Sequence, residues 1–378
     1  MESEIRPINS MFNSIPKNKK FYTFFKKLII ITIISIILID FFINFGILNL
    51  NLENNKNMKK TLLNLKNDLY VIKLKMKSFM LNEIKQFNDI INEEYIQKQN
   101  NFCENIKKYY NEDYENKIKL QKVNFNNITF DMFIYKQNDV VSKYLSKTNV
   151  WEKNDTDKIL EALNYFSKKK NLAENDIYLL DIGGNVGWYT FVIGKYGYKV
   201  ITFEPNKINY YILKKNYCLN KGLNITLINK GLFSEEKKCY IYCDKTNIGN
   251  GYINCNKRTD KNFFNNGEII LTKLSNYIQF FYNKYLAFIK IDIEGSEEKA
   301  FESGIELITE YHVPFIFMEF IPQYLKLYGT EPRKFLEMFL DNGYKINILN
   351  FFEEKIYDIE HLIKEERNLF IVYTPFLK

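Results

Sequence analysis

Ile177-Tyr178-Leu179-Leu180-Asp181-Ile182-Gly183-Gly184-Asn185-Val186-Gly187 reads as a buried strand running straight into a glycine turn and then a helix. A short, unbroken apolar run of this kind suits a strand covered on both faces, as in a parallel sheet. Gly183 and Gly184 permit positive φ and bring bare backbone close to a ligand. Gly187 lets the helix begin tight against the strand, with its first N–H groups free for a polar partner. Asp181, ahead of the turn, suits a ligand bearing an ammonium group and would repel a pyrophosphate. The D-x-G-x-x-x-G spacing thus departs from the G-x-G-x-x-G of dinucleotide sites, which is absent from the chain.

Working outward, short apolar strands alternate with amphipathic helices. Strands are expected near Ile177–Ile182, Lys199–Phe203, Ile225–Asn229, Ala287–Asp292, Pro314–Phe320, Tyr344–Leu349 and Asn368–Tyr373. Helices are expected at Gly187–Tyr196, Lys207–Lys221, Glu297–Ile308 and Pro332–Asn342. Such alternation implies a mostly parallel sheet covered on both faces, the last two strands able to close as an antiparallel edge pair. Ligands bind such a sheet at the C-terminal ends of its strands. The second strand ends at Glu204-Pro205, and a carboxylate there can accept hydrogen bonds from both hydroxyls of a ribose. Coupled to the glycine turn one helix earlier, Glu204 favours S-adenosylmethionine (SAM) over a dinucleotide.

A third feature is Phe288-Ile289-Lys290-Ile291-Asp292-Ile293-Glu294-Gly295-Ser296-Glu297. Its strand delivers Asp292 to the ligand edge, with Glu294 two positions on. Met318-Glu319-Phe320 brings another carboxylate on the next strand. Asp292, Glu294 and Glu319 are the candidate catalytic residues: together they can orient and deprotonate a hydroxyl, or hold a divalent ion, although no residue is assigned as a metal ligand. Glu297 and Glu298 open a helix, where acidic residues complement the dipole. His312 and His361 lie outside these motifs and read as structural. No Ser–His–Asp, Cys–His or HExxH arrangement is present, which argues against covalent or zinc hydrolysis.

From Trp151 to the C-terminus the chain resembles the FkbM-type SAM-dependent methyltransferase family. The resemblance rests on ordered blocks: LLDIGGNVGWYT (Leu179–Thr190), VITFEPNK (Val200–Lys207), LKKNYCLNKGLNITLINKGLFS (Leu213–Ser234), NIGNG (Asn247–Gly251) and FIKIDIEGSEEKAFESG (Phe288–Gly304). It implies a class I methyltransferase (Rossmann-like) α/β fold, with a seven-stranded mostly parallel sheet and an antiparallel last strand. It also implies SAM as methyl donor and O-methylation of a hydroxyl on a small molecule or glycan. By position, Asp181, Gly183 and Gly187 would carry the methionine part of SAM and Glu204 the ribose, with Gly184 and Asn185 also cofactor-binding and Asp292 and Glu294 facing the reaction centre. One departure is Leu271-Thr272-Lys273-Leu274, where the family usually has Thr-Leu-Asp; an acidic position has become basic. Acceptor identity would lie in loops that include Asn247–Asn266. The competing readings are a catalytically silent SAM-binding scaffold tethered to a membrane, and an NAD-dependent oxidoreductase, whose fingerprint is missing.

Before this domain, Leu28–Leu48 is the longest apolar run, 21 residues spanning roughly 30 Å as a helix. Asp40 opposes insertion by about 2.5–3.5 kcal/mol, and the dense Ile and Leu residues outweigh it. Lys17, Lys19, Lys20, Lys26 and Lys27 precede the run closely, while Lys56, Lys59 and Lys60 follow it. That bias keeps a basic tail (1–27) in the cytosol and turns the rest toward a lumen of the secretory pathway, the Golgi, in type II orientation. Apolar residues then recur at helical spacing (Leu62, Leu65, Leu69, Ile72, Met76, Phe79), which predicts a helical stalk over 49–122 that self-associates or packs on its own domain. The methyltransferase domain follows over 123–378.

Composition sets further limits. The net charge of +8 is dispersed rather than gathered in a basic stripe with interleaved aromatics, which argues against a nucleic-acid partner. Asn127, Asn154 and Asn224 head N-x-Thr sequons, in a chain so rich in Asn that such motifs arise by chance. The five cysteines are odd in number and form no CxxC pair, so no zinc site is expected. Cys239 and Cys243 can each reach Cys255 in an oxidising compartment, and spacing alone does not choose between them.

Overall fold

The computed structural model describes residues 92–256, 263–281 and 284–378, together with residues 67, 68, 70–76 and 78. The chain divides into two units, Met1–Ile91 and Asn92–Lys378. In the first, the described residues are helical. The anchor expected at Leu28–Leu48 lies outside the described residues, as does most of the stalk seam. Among the described residues no helix is long and apolar enough to cross a membrane.

The second unit is built on a seven-stranded sheet. Its strands are β3 (Ile177–Ile182), β4 (Lys199–Phe203), β5 (Ile225–Ile228), β10 (Tyr285–Ile291), β11 (Phe315–Phe320), β12 (Tyr344–Asn347) and β13 (Arg367–Tyr373). They lie in the order β12-β13-β11-β10-β3-β4-β5. β5, β4, β3, β10 and β11 pair in parallel, whereas β13 runs antiparallel to both β11 and β12. This is the expected class I sheet; β13 inserts between β11 and β12, which leaves β12 at the edge. Every residue of β3 is buried, as its continuous apolar run requires when helices cover both faces.

Three helices matter for the site: α1 (Lys153–Lys170), α2 (Trp188–Lys195) and α3 (Lys207–Leu219). α3 starts where the Asn206 side chain accepts the N–H groups of Ile208 and Asn209. The helix expected over Glu297–Ile308 instead runs Glu297–Glu302 as α4, with a separate turn at Glu306–Thr309. At Gly304 a Cβ would come within 2.6 Å of Leu274, so close packing against that side chain interrupts the helix.

Three further elements depart from the sequence reading. Helical backbone at 92–104, inside the stretch expected as stalk, belongs to the second unit. This helix seals the sheet at β5. The Gln99 side chain donates to the Ile225 carbonyl (3.0 Å) and accepts from the Leu227 N–H (2.8 Å), replacing a missing neighbour strand. A Cys103–Cys218 disulfide ties the helix to α3. In place of a continuing helix, β1 (Ile118–Phe125) and β2 (Ile128–Tyr135) form a hairpin turning at Asn126, whose φ is +49°. The third departure is a sheet of four strands, β6 (Gly231–Leu232), β7 (Lys237–Asp244), β8 (Asn247–Asn254) and β9 (Phe263–Thr272), in the order β6-β9-β7-β8. The NIGNG segment, expected as a loop, starts β8, and Cys239–Cys255 is the disulfide that forms, leaving Cys243 a buried free thiol.

Candidate active site

β3 and β10 are neighbours from which the chain proceeds in opposite directions across the sheet, β3 toward β4 and β10 toward β11. A crevice opens at such a switch point. Here it is a cavity of about 300 Å³ whose lining includes Gly183, Asn185, Glu204, Asp292, Glu294 and Glu319. β8 closes it with Gly249, Asn250 and Gly251.

The glycine turn is fixed by its neighbours. The N–H groups of Gly183 and Gly184 both donate to the Phe203 carbonyl at the end of β4, at 3.0 and 3.1 Å. Gly183 has φ +86°, and a Cβ there would lie 2.0 Å from the Asp292 carbonyl oxygen. The turn can therefore lie this close to β10 only with glycine at that position. Gly184 fits against Thr202, and Gly187 packs on Leu213 and Phe191 as α2 begins, so these two support the turn from behind rather than line the cavity.

Asp181 does not reach the cavity. It is 1% exposed beneath the turn, where Thr190 Oγ1 donates to its carboxylate at 2.6 Å and Lys290 Nζ lies 3.6 Å away. Because β3 is buried on both faces, a carboxylate at this position must find its partners inside the protein. Lys290 Nζ in turn donates to the Gly183 carbonyl at 2.8 Å and stands 3.7 Å from Asp292. The pair thus secures the turn from below. The negative charges of Asp292 and Asp181 outweigh burial and raise the lysine's pKa, so it stays cationic.

Glu204 is 5% exposed. One carboxylate oxygen accepts from the Asn185 N–H and the other from the Asn206 N–H, both at 2.8 Å. Burial pushes its pKa up to about 7 despite these bonds. Each oxygen retains acceptor capacity beyond its one backbone partner.

Asp292, Glu294 and Glu319 converge as the sequence suggested, each offering an oxygen within 4.8 Å of the others. The Asp292 side chain is 40% exposed and the other two are half-buried. The charge of Asp292, followed by burial, raises the Glu319 pKa; burial, followed by Asp292, raises that of Glu294. Glu319 and Glu294 therefore hold protons above the usual carboxylate range, because three carboxylates this close cannot all be charged together. Glu294 adopts φ +57°, an uncommon conformation for a residue with a side chain. Glu297, beyond completing a helix start, is buried and accepts from the N–H groups of Ile293 (3.0 Å) and Gly295 (3.2 Å), clamping the turn that presents Glu294.

The sequence reading missed Glu152. It lines the cavity from the start of α1, accepts a 2.5 Å hydrogen bond from Tyr189 and has its pKa raised chiefly by burial. No local motif marks it; only the docking of α1 brings it in. His312 stacks on Tyr373 and His361 on Tyr357, and neither lines the cavity.

Residues 181–346, which include the turn, Glu204 and all three clustered carboxylates, match the family model described as the methyltransferase FkbM domain. The chain carries an FkbM methyltransferase domain. It is therefore a SAM-dependent methyltransferase domain, with SAM as its cofactor. No curated protein matches the chain. Among solved structures, WbdD is 9% identical with a TM-score of 0.37, over 63% of this chain and 45% of WbdD. The chain thus spans less than half the length of WbdD, described elsewhere as a bifunctional kinase-methyltransferase. A SAM-dependent methyltransferase from Agrobacterium tumefaciens is 9% identical, with a TM-score of 0.35 over 68% of this chain and 70% of that one. Magnesium protoporphyrin IX methyltransferase from Synechocystis PCC 6803, with bound S-adenosylhomocysteine (SAH), is 12% identical, with a TM-score of 0.30 over 58% of this chain and 83% of that one.

The residues of the FkbM domain fit SAM. The cradle at Gly183 has no room for a side chain, Glu204 turns spare acceptor capacity toward the cavity, and the buried Asn185 Oδ1 has no hydrogen-bond partner among the described residues.

Proposed function

We propose that the chain is a membrane-anchored O-methyltransferase in which Glu294 takes the proton from an acceptor hydroxyl. The carrying observation is the position of Glu294. Of the three clustered carboxylates, it alone lines both the SAM-side cavity and a second cavity of about 490 Å³ alongside. A group at that junction can meet an acceptor oxygen arriving from one side and a methyl donor held on the other.

In this reading Glu204 holds the ribose hydroxyls, while Gly183 and Asn185 hold the methionine part. Bound SAM supplies a methyl group on a positively charged sulfur, so that the new C–O bond forms as the C–S bond breaks and the cofactor leaves as a neutral thioether. Glu294 accepts the hydroxyl proton as the methyl group becomes the oxygen's third substituent, which leaves a neutral ether. A raised pKa brings this base closer to the working pH and improves the match to an alcohol, which is a weak acid. Burial and then the charge of Asp292 raise that pKa. Lys290, through Gly183 and Asp292, keeps the two halves of the site in register.

The full chain incubated with SAM carrying a labelled methyl group and a panel of alcohols should yield a methyl ether. Glu294→Gln should reduce turnover about 100-fold, the scale of a lost general base, with SAH affinity retained. SAH binding without transfer to any acceptor would favour a silent scaffold, and label on nitrogen would exclude O-methylation.

The anchor at Leu28–Leu48 and a lumenal catalytic domain belong to the same reading. The Cys103–Cys218 and Cys239–Cys255 disulfides support it, since such bonds persist in oxidising compartments. Carbonate extraction should leave the full chain in the membrane pellet; its release would remove the anchor from the proposal.

A further inference from the structure

The second cavity has a lining of its own character. Tyr252, Phe263 and Tyr324 supply aromatic surface, backed by the buried Tyr242, and Asp244, Asn250 and Glu294 supply polar groups. Tyr242 and Tyr252 stack at 5.6 Å between ring centroids, and Phe263 meets Tyr252 edge-on at 5.0 Å, so these aromatics form one continuous surface. The cavity joins the SAM-side cavity through Asn247, Asn250, Gly251 and Glu294. Its volume of about 490 Å³ lies within the roughly 300–1,000 Å³ of small-molecule sites.

Charge and polarity narrow the occupant. Hydrogen bonds from the N–H and hydroxyl of Thr246 lower the pKa of Asp244, so the rim carries a negative charge. Anionic acceptors such as phosphates or carboxylates are repelled there. An acyl chain would offer no hydrogen bonds to Asp244, Asn250 or Glu294 while displacing water from them, which costs affinity. A planar phenol would use the aromatic surface but present one hydroxyl to several polar groups. A neutral ring with apolar C–H faces and a rim of hydroxyls uses both kinds of lining at once.

Resting on the O-methyltransferase reading, we propose that this aromatic cavity is the acceptor subsite and that it takes a neutral pyranose ring, one of whose hydroxyls meets Glu294. Tyr324, at 41% exposed, is the aromatic whose loss least disturbs the core.

Saturation-transfer NMR on the full chain, in a detergent without a sugar headgroup and saturated with SAH, tests this. The probes are methyl β-glucopyranoside, methyl β-galactopyranoside and methyl α-mannopyranoside, with p-cresol as the phenolic comparison. At least one pyranoside should show transfer to its ring protons. Tyr324→Ala should reduce that transfer at least five-fold and Tyr324→Phe should retain it, both with SAH affinity within twofold of the parent chain. Absence of pyranoside signal with SAH bound, stronger binding of p-cresol, or a signal unaffected by Tyr324→Ala overturns the subsite while leaving the transferase intact. Failure of the parent chain to bind SAH overturns the transferase reading, and the subsite with it.

Discussion

Two glycines with almost the same backbone conformation separate the effect of φ from that of space. Gly183 has φ +86° and Gly222 has φ +87°. A Cβ at Gly222 would meet nothing within 4 Å among the described residues, whereas one at Gly183 would sit 2.0 Å from the Asp292 carbonyl oxygen. Gly222→Ala therefore carries only the left-handed penalty of roughly 1–2 kcal/mol. Restricting the unfolded chain returns about 0.4–1 kcal/mol of that. Its melting temperature should fall by about 2 °C, the scale for roughly 1 kcal/mol in a domain of this size. Gly183→Ala carries the same term and must also push the carbonyl out to a carbon–oxygen contact of roughly 3.3 Å, a retreat of about 1.3 Å. Overpacking of this kind costs a further 1–3 kcal/mol or so. The displaced group is Asp292, whose N–H is bonded to the Ile182 carbonyl at the end of β3. The movement therefore passes into the carboxylate cluster, where a misplacement of about 1 Å can cost 100-fold in rate. Calorimetric titration with SAH and thermal melts of the two variants give the comparison. Gly183→Ala should bind SAH at least ten-fold more weakly than Gly222→Ala. Equal affinities and equal melting temperatures would refute the close approach of the turn to β10.

Two other outcomes follow from the same contacts. The folded pKa of Glu204, about 7 against 4.5 for the free side chain, means that this group is destabilising once ionised, by about 3 kcal/mol above pH 7, and that the penalty disappears below pH 4.5. Glu204→Gln leaves either the Asn185 or the Asn206 N–H without an acceptor, so it should be less stable than the parent at pH 5 and lose that deficit by pH 8.5; parallel pH profiles in urea melts would count against a buried, protonatable Glu204. Because Cys103–Cys218 closes a loop of 115 residues, Cys103→Ala combined with Cys218→Ala should cost about 2–4 kcal/mol in the same melts, with SAH affinity retained, and an unchanged midpoint would deny the cross-link a stabilising role.

Some of this architecture is written in short stretches of sequence. The strand–turn–helix at Ile177–Gly187 carries its own periodicity and its own breaks, and Glu204 and Asp292 sit where adjacent strands run out. Such signals survive because a parallel strand buried on both faces must be apolar throughout, and a turn packed against backbone must be glycine. Where the chain offered only asparagines as stop signals, the reading failed. The helix ending at 104 and the hairpin turning at Asn126 are both punctuated by a residue this chain uses everywhere.

The sequence by itself determined the sheet, the cofactor turn and the set of carboxylates, since each depends on neighbours a few residues away. Only the tertiary structure decided that Asp181 serves Lys290 and Thr190 rather than the cavity. It likewise decided that Glu152 faces the site from 140 residues before Asp292, and that Cys239 rather than Cys243 pairs with Cys255. The position of Glu294 between two cavities has the same origin, because β8 and Tyr324 reach it from opposite directions along the chain. Proximity between distant segments is set by how helices and sheets pack, and packing depends on shape and volume summed over the whole core. A local pattern records which face of an element is apolar, but not which other element will cover it.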